Sequence, residues 1–345
     1  MTELDAAVRD HTARYCRIVD HLQSSHRWTS AVFLRLSALP LTSLEPPDAV
    51  ERLDREAERL KEAGSWWDPL STSLRFVLAA ILVRRELDGK ARVSALKETL
   101  GLFRSNGLGR SGNSPFIAAF LLVLSSDGEV PREATVQRMA RIMELWKRDH
   151  RWLTGSDDLP MAALHATRDE PVEDIAVRVE SIYRELHRRR YKRGEQLQLA
   201  SQLLALRPWS GIDAVATLDH VMQAARRAGI RPGRGLYDEA SLLALSGEDP
   251  EHAVRSVISI RDLLKAARSS RGKRLFGAFT TGEQQMLSIA TGLFLVAQTE
   301  VLGAMDDASA AAALLAARSA LEAQQAAVIV AATTATTAGA SAGVH

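Results

Sequence analysis

Short, almost wholly apolar runs recur along the chain at intervals of about forty residues. Each contains a pair of small residues, and the first members of these pairs follow one another at steps of 39, 44, 38 and 40 residues. A helix that is apolar on every face must be buried, so each run predicts a helix in the protein core. The runs cover residues 74–83, 114–127, 159–166, 197–206 and 236–245.

Longer segments with a single apolar stripe separate these runs. In one of them Val136, Met139, Ile142 and Trp146 share one helical face, after a start at Pro131. No window alternates with the period of two that strands require. The pattern therefore predicts an all-α protein of stacked two-helix repeats, an α/α superhelix or solenoid, because one hairpin cannot bury its own apolar face. A closed α/α toroid is the alternative arrangement.

The same pattern predicts a single helical-repeat domain over residues 1–331. Residues 1–45 are expected to form an N-terminal cap, residues 46–302 the repeats, and residues 303–331 an Ala-rich helix. Residues 332–345 have low complexity and are expected to be a disordered tail. Because repeat proteins bind partners on their concave face, the favoured function is a binding or scaffold module for a peptide, a protein or a small molecule.

Composition narrows the setting of the protein but does not identify its partner. Hydrophobic residues make up 46% of the chain and charged residues 25%, as in soluble globular proteins. Cys16 is the only cysteine, which excludes an intrachain disulfide and is typical of a reducing compartment. The N-terminus lacks the apolar core of a signal peptide, and the longest apolar run is too short to span a bilayer. These features predict a cytoplasmic protein without a membrane span.

A polar segment at residues 150–160 interrupts the apolar pattern near the middle of the chain. Adjacent carboxylates at the start of a buried helix, with imidazoles nearby, are suited to acid–base catalysis, which makes an enzyme an alternative function. The candidate catalytic residues are His150, Thr154, Asp157, Asp158 and His165. The competing interpretation is that the hydroxyl and carboxylate groups only cap the following helix. The sequence leaves open whether the protein is an enzyme.

Three further residues are candidates for ligand binding. Arg151 and Trp152 lie within the polar segment, and Arg110 lies in a Gly-rich loop at residues 107–112 that leads into a helix. The start of that helix is suited to an anion. The loop matches the letters of a dinucleotide fingerprint, but a helix rather than a strand precedes it, so a plain connection is the favoured interpretation.

Basic residues are concentrated in one part of the chain. Residues 184–274 hold 18 Lys/Arg and 10 Asp/Glu, whereas the net charge of the whole chain is only +2. The densest patch consists of Arg188, Arg189, Arg190, Lys192 and Arg193. A basic stripe suits a phosphate polymer, so nucleic acid is an alternative partner. It is not the favoured one, because tyrosines for stacking are too sparse and late basic residues also complement helix C-termini.

Motifs for metals and cofactors are absent from the sequence. There is no H-E-x-x-H, no paired Glu-x-x-His of di-iron bundles, no P-loop and no G-x-S-x-G. The sequence predicts no metal site and leaves the cofactor and the partner unknown.

The polar segment carries a resemblance to a known family. Residues 150–166, with the order T-G-S-D-D-x-P at their centre, and residues 194–206 resemble a bacterial family of helical proteins called domain of unknown function 4003. Residues 26–39 and 116–124 match more loosely. The resemblance implies one full-length unit in a bacterial cytoplasm and no transferable activity. The Ala-rich stretch after Leu302 is expected to be an addition peculiar to this chain.

Overall fold

A computed structural model describes residues 3–64, 70, 72–109, 112–231, 233–270 and 282–302. The predicted Ala-rich helix, the predicted tail and Arg110 lie outside these residues. The described part contains fourteen α-helices and no strand, which confirms the all-α prediction there. None of its helices is both long and apolar enough to cross a membrane.

The helices follow one another with short connections. They are α1 (Glu3–Ser25), α2 (Ala31–Ala38), α3 (Pro46–Ala63), α4 (Leu74–Arg84), α5 (Gly89–Ser105), α6 (Asn113–Ser125), α7 (Glu133–Asp149), α8 (Leu159–Ala166), α9 (Val172–Arg188), α10 (Glu195–Leu204), α11 (Gly211–Arg227), α12 (Tyr237–Ser246), α13 (Pro250–Ser270) and α14 (Glu283–Leu302). Short 3₁₀ turns precede α8 and α12 and follow α2.

The even-numbered and odd-numbered helices differ in burial. Apart from residues at their ends, the even-numbered helices have no exposed side chain in the described part of the chain. Five of them, α4, α6, α8, α10 and α12, correspond to the five predicted apolar runs. Ala118, Ala119 and Leu122 in α6, for example, are all but fully buried. The odd-numbered helices bury one stripe and expose the opposite face, as Val136, Met139 and Ile142 do in α7.

Neighbouring helices pack in chain order. Among the odd-numbered helices, α1 packs on α3, α3 on α5, and so on to α13; α7 also packs on α8, and α13 on α14. The first helix also contacts the last ones, since α1 packs on both α13 and α14. One contact of this kind joins Asp5 of α1 to His252 of α13, with Oδ1 and Nε2 3.5 Å apart. The first and last described helices are therefore neighbours.

One arginine in each of four successive odd-numbered helices donates to backbone carbonyls at the end of the next even-numbered helix or in the loop that follows it. Arg52 donates to Val83 O at 3.1 Å, and Arg178 donates to Ala205 O at 3.0 Å. Arg92 donates to Gly128 O at 2.7 Å. Arg138 donates to three carbonyls, Ala166 O at 3.2 Å, Arg168 O at 2.6 Å and Glu170 O at 2.7 Å. The carbonyls at a helix C-terminus have no partner within the helix, so a guanidinium stabilises that end.

Candidate functional site

The polar segment connects α7 to α8. His150 directly follows α7, and its N–H closes the last turn on Trp146 O at 2.8 Å. The chain then turns through Arg151 and Trp152 and enters the 3₁₀ turn Ser156–Asp158, from which α8 begins with Pro160 in its first turn. Proline is favoured there because its missing N–H has no partner in the first helical turn.

Asp158 is the centre of a buried hydrogen-bond network. Its Oδ1 accepts from the side-chain amides of Gln198 at 2.9 Å and Gln202 at 2.8 Å, and its Oδ2 accepts from Gly155 N at 2.9 Å. The Gln198 amide also donates to the Thr154 hydroxyl at 3.2 Å. Asp158, Thr154 and both glutamines are buried. The carboxylate therefore links the 150–158 loop to α10, and both of its oxygens are occupied.

His165 lies beneath this network and is fully buried. Its Nε2 is 2.9 Å from Gln202 O; because a carbonyl oxygen only accepts, Nε2 carries the hydrogen. Burial lowers the pKa of His165 to about 4, so the ring is neutral near pH 7. Trp146 packs edge-on against it with ring centroids 5.6 Å apart, and the His165 Nδ1 lone pair has no hydrogen-bond partner. The predicted proximity of Asp158 and His165 is thus mediated by Gln202.

Two more contacts fix the loop to its neighbours. Asp157 is exposed, and its Oδ1 accepts from the Ser114 hydroxyl at the start of α6 at 2.8 Å. His150 Nε2 lies 2.6 Å from Glu180 Oε2 on α9, and its ring packs on Tyr183 with centroids 4.3 Å apart. Four of the five candidate catalytic residues thus lie between α7 and α8, whereas His165 lies within α8, and the five bind different structural partners.

Arg151 and Trp152 point away from this network. Both are exposed, and the Trp152 side chain is 94% accessible to solvent. No ion pair of Arg151 is present among the described residues. The third candidate for ligand binding, Arg110, lies outside the described residues.

A second loop has the same sequence and the same geometry, and the sequence analysis missed it. Residues 26–28 read His-Arg-Trp, as do residues 150–152. His26 directly follows α1; its Nε2 lies 2.7 Å from Asp54 Oδ1 on α3, and its ring packs on Phe76 at 4.8 Å. Trp28 is fully exposed. Comparing the two tripeptides, which begin 124 residues apart, would have revealed the pair.

The backbone turns of these two loops are also alike. Thr29 N donates to His26 O at 3.0 Å, and Leu153 N donates to His150 O at 3.0 Å. In each turn a backbone hydrogen bond thus encloses the Arg-Trp pair. The histidine that begins the turn binds a carboxylate of the next odd-numbered helix. We call these loops, residues 26–28 and 150–152, the H-R-W turns.

Two of the five side chains of the predicted basic patch form ion pairs, and the other three form none with any described residue. Arg188 binds Glu185, and Arg189 binds both Glu185 and Asp219. These arginines lower the pKa of the Glu185 carboxyl to about 2, mainly through the hydrogen bond from Arg188. The other cations, Arg190, Lys192 and Arg193, are exposed and form no ion pair with any described residue.

The starts of three even-numbered helices, α6, α12 and α14, each lie beside the loop before a neighbouring even-numbered helix. Ser114 of α6 binds Asp157 before α8, and the Lys192 N–H before α10 donates to the Tyr237 hydroxyl of α12 at 3.2 Å. Gln284 of α14 donates to Gly235 O before α12 at 3.1 Å. In these pairs the loops that follow odd-numbered helices lie beside one another, and we expect such loops to share one end of the structure.

That end and the opposite one carry different charges. Residues 26–30, 149–158, 187–195 and 226–236, at the ends of α1, α7, α9 and α11, hold eleven Lys/Arg and four Asp/Glu. Residues 84–90, 125–133, 166–174, 205–213 and 246–252, at the ends of even-numbered helices, hold thirteen Asp/Glu and six Lys/Arg. We call the first the basic end and the second the acidic end. The H-R-W turns also follow odd-numbered helices, so we expect them to lie at the basic end.

Other polar features are separate from this segment. Among the described residues, no group of three or more His, Cys, Asp or Glu is arranged to hold a metal ion. A small, mainly apolar cavity lies between α11, α12, α13 and α14, and Glu239 and Thr291 are its polar lining residues. Burial raises the pKa of Glu239, to which Ser288 donates a hydrogen bond.

The comparison with protein families identifies the chain. The model of a family described as "Protein of unknown function (DUF4003)" matches residues 18–325. The chain belongs to this family. The match includes residues 303–325, so the expectation that the Ala-rich stretch is peculiar to this chain is wrong for those residues. No curated protein and no solved structure matches the chain.

Proposed function

We propose that this DUF4003 protein is a non-catalytic binding module, built as a closed ring of seven helical hairpins, that recognises its partner at the basic end. The packing of α1 on α13 and α14 supports closure, since the ends of an open array do not touch. The burial of the even-numbered helices supports it as well, because an open solenoid exposes one face of its inner helices to water. We therefore favour the toroid over the open superhelix.

The four capping arginines support a repeat origin for the hairpins. Arg52, Arg92, Arg138 and Arg178 follow one another at steps of 40, 46 and 40 residues and perform the same task in successive hairpins. The proposed unit is thus an outer odd-numbered helix followed by an inner even-numbered helix. We extend this unit to a single domain that includes the N-terminal pair α1–α2.

The H-R-W turn at residues 150–152 is the observation that carries the binding proposal. The Asp158 network and the His150–Glu180 contact hold this turn from α9 and α10. Holding a loop rigidly while its guanidinium and indole remain in water reduces the entropy lost when a partner binds. Because the Asp158 carboxylate is already bound by three donors, we assign it to this positioning task rather than to acid–base chemistry.

The cytoplasmic and bacterial setting expected from the sequence is part of this proposal. The enzyme alternative stays a prediction, and His165 is its best remaining candidate because Nδ1 has a free lone pair. Its full burial argues against direct contact with a substrate, which favours the binding module.

Photo-cross-linking at defined positions tests the proposal. The photoreactive residue benzoylphenylalanine replaces Trp152 at the basic end or, as the matched control, Ile212, which is 63% exposed at the start of α11 on the acidic end. After irradiation in cells, intact-mass analysis should find a discrete adduct at position 152 and none at position 212. Equal labelling at the two positions, or no adduct at 152, would contradict recognition at the basic end.

A further inference from the structure

We propose that the two H-R-W turns dock the basic end onto the surface of an anionic lipid bilayer, with Trp28 and Trp152 entering the headgroup region. This inference rests on the proposed ring, because the ring brings both turns to one end. It adds what that end binds, which the proposed function leaves open. The occupant to which we commit is the bilayer surface, not a soluble partner.

The exposure of the two indoles is the first observation. Trp28 and Trp152 are 101% and 94% exposed, and no other large hydrophobic side chain in the described residues exceeds 68%. A single exposed apolar side chain needs no explanation. Here, however, two indoles occupy the same position of the same turn in two different hairpins, and in both turns a bound histidine fixes the backbone. Tryptophan is the side chain enriched at the boundary between lipid and water.

Charge is the second observation. Arg27 and Arg151 stand beside the indoles, are exposed and form no ion pair with any described residue. Arg190, Lys192 and Arg193 add unpaired cations at the same end. The acidic residues of the opposite end would be repelled by an anionic surface, so the charge pattern both attracts the module and orients it. An amphipathic surface with basic and aromatic side chains is typical of peripheral membrane binding.

The separation of the two turns favours a bilayer over a nucleic acid. The turns follow α1 and α7, which are the first and fourth outer helices of the proposed ring. Single-stranded nucleic acid requires neighbouring rings on which successive bases stack. Two indoles on different parts of a rim do not provide such a platform, whereas a planar partner reaches both of them at once. Simultaneous contact raises the affinity above that of either turn alone.

Vesicle binding of the full chain tests the inference. We expect the protein to co-sediment with phosphatidylcholine vesicles that contain 30% phosphatidylglycerol, and to bind pure phosphatidylcholine vesicles much more weakly. W28A/W152A should lower the partition coefficient about tenfold or more. R27Q/R151Q should lower it about fivefold per charge, since one basic residue near an anionic membrane contributes about 1 kcal/mol. Raising NaCl from 0.1 to 1 M should remove the electrostatic part.

Matched controls lie at the acidic end. I212A removes an exposed apolar side chain there, and R132Q removes an exposed cation at the start of α7; neither should change partitioning. Lipids brominated near the headgroup should quench tryptophan fluorescence in the wild type but not in W28A/W152A. The lipid concentration is raised until both proteins are fully bound, so that the readout does not depend on affinity, and the four other tryptophans serve as an internal reference.

Several results would overturn the inference. These are equal binding to neutral and anionic vesicles, equal loss in W28A/W152A and I212A, and displacement from anionic vesicles by a DNA or RNA oligonucleotide that binds through the same tryptophans. A protein adduct at position 152 in the cross-linking experiment, together with no vesicle binding, would refute bilayer docking while leaving the proposed binding module intact.

Discussion

Replacing Asp158 by alanine should destabilise the protein strongly, whereas the same change at its neighbour Asp157 should not. Asp158 accepts hydrogen bonds from Gln198, Gln202 and Gly155, and the two glutamine side chains are at most 3% exposed. D158A leaves these three donors without that acceptor. A buried donor without a partner costs about 1–3 kcal/mol, so D158A should lower the free energy of unfolding by about 3–5 kcal/mol.

The control is the exposed carboxylate one residue earlier. Asp157 accepts one hydrogen bond, from Ser114, and water can replace it as a partner. D157A should therefore cost about 1 kcal/mol or less. Urea unfolding followed by circular dichroism at 222 nm measures both variants, with the slope of the transition checked for two-state behaviour. Equal losses for D158A and D157A would refute the assignment of Asp158 as the residue that joins the loop to α10.

Three further predictions follow from other parts of the structure. The unfolded chain binds a proton on His165 below about pH 6.5, whereas the folded chain does so only below about pH 4. The free energy of unfolding should therefore fall by about 2–3 kcal/mol between pH 7 and pH 4.5. Urea titrations at both pH values should show that H165Q lacks this part of the pH dependence. R138L removes the donor to three carbonyls at the end of α8 and should cost about 2–3 kcal/mol, while R141Q, on the exposed face of the same helix, should leave the urea midpoint unchanged. A119E buries an unpaired carboxylate in α6 and should cost about 3–5 kcal/mol, seen as loss of soluble protein or of the thermal transition; an unchanged melting temperature would contradict the burial of that helix.

The fold class could be predicted from the sequence because its signal is local. Helices such as α4 and α6 are apolar on every face, and α7 has one apolar stripe, so burial and helical period can be read directly from the order of residues. The packing of α1 on α13 and α14 could not be predicted. It depends on how small rotations between hairpins add up, and no single residue encodes that sum.

The sequence singles out the polar segment as a candidate site but does not predict the partners of its residues. Two residues of the polar segment, Thr154 and Asp158, are buried polar groups. The roles of its members depend on Gln198, Gln202 and Glu180, which lie 30 to 44 residues away from their partners in the chain. Asp157 and Asp158 were thus both predicted as catalytic candidates, although Asp158 is buried and Asp157 is exposed. Spacing within a segment carries no information about partners in the next hairpin.

The burial of tryptophan side chains is difficult to predict from this sequence. Trp146 is buried, as expected for a packing residue, whereas Trp28 is fully exposed. Composition alone does not separate these two cases, because an indole at the end of a helix either packs inwards or projects from a turn. The shared His-Arg-Trp order of the two turns is the signal that distinguishes Trp28 and Trp152 from the others.

Closure of the ring is the central claim, and the distance between α1 and α13 tests it most directly. Spin labels on cysteines at Asp5 and His252, in a C16A background that removes the native thiol, report this distance by pulsed electron resonance. Because the two side chains are 3.5 Å apart, we expect a narrow label distance of about 20 Å or less once the label arms are included. Seven hairpins in an open array, spaced at 8–10 Å per step, would instead hold the labels roughly 50–60 Å apart, and that result would contradict the closed ring.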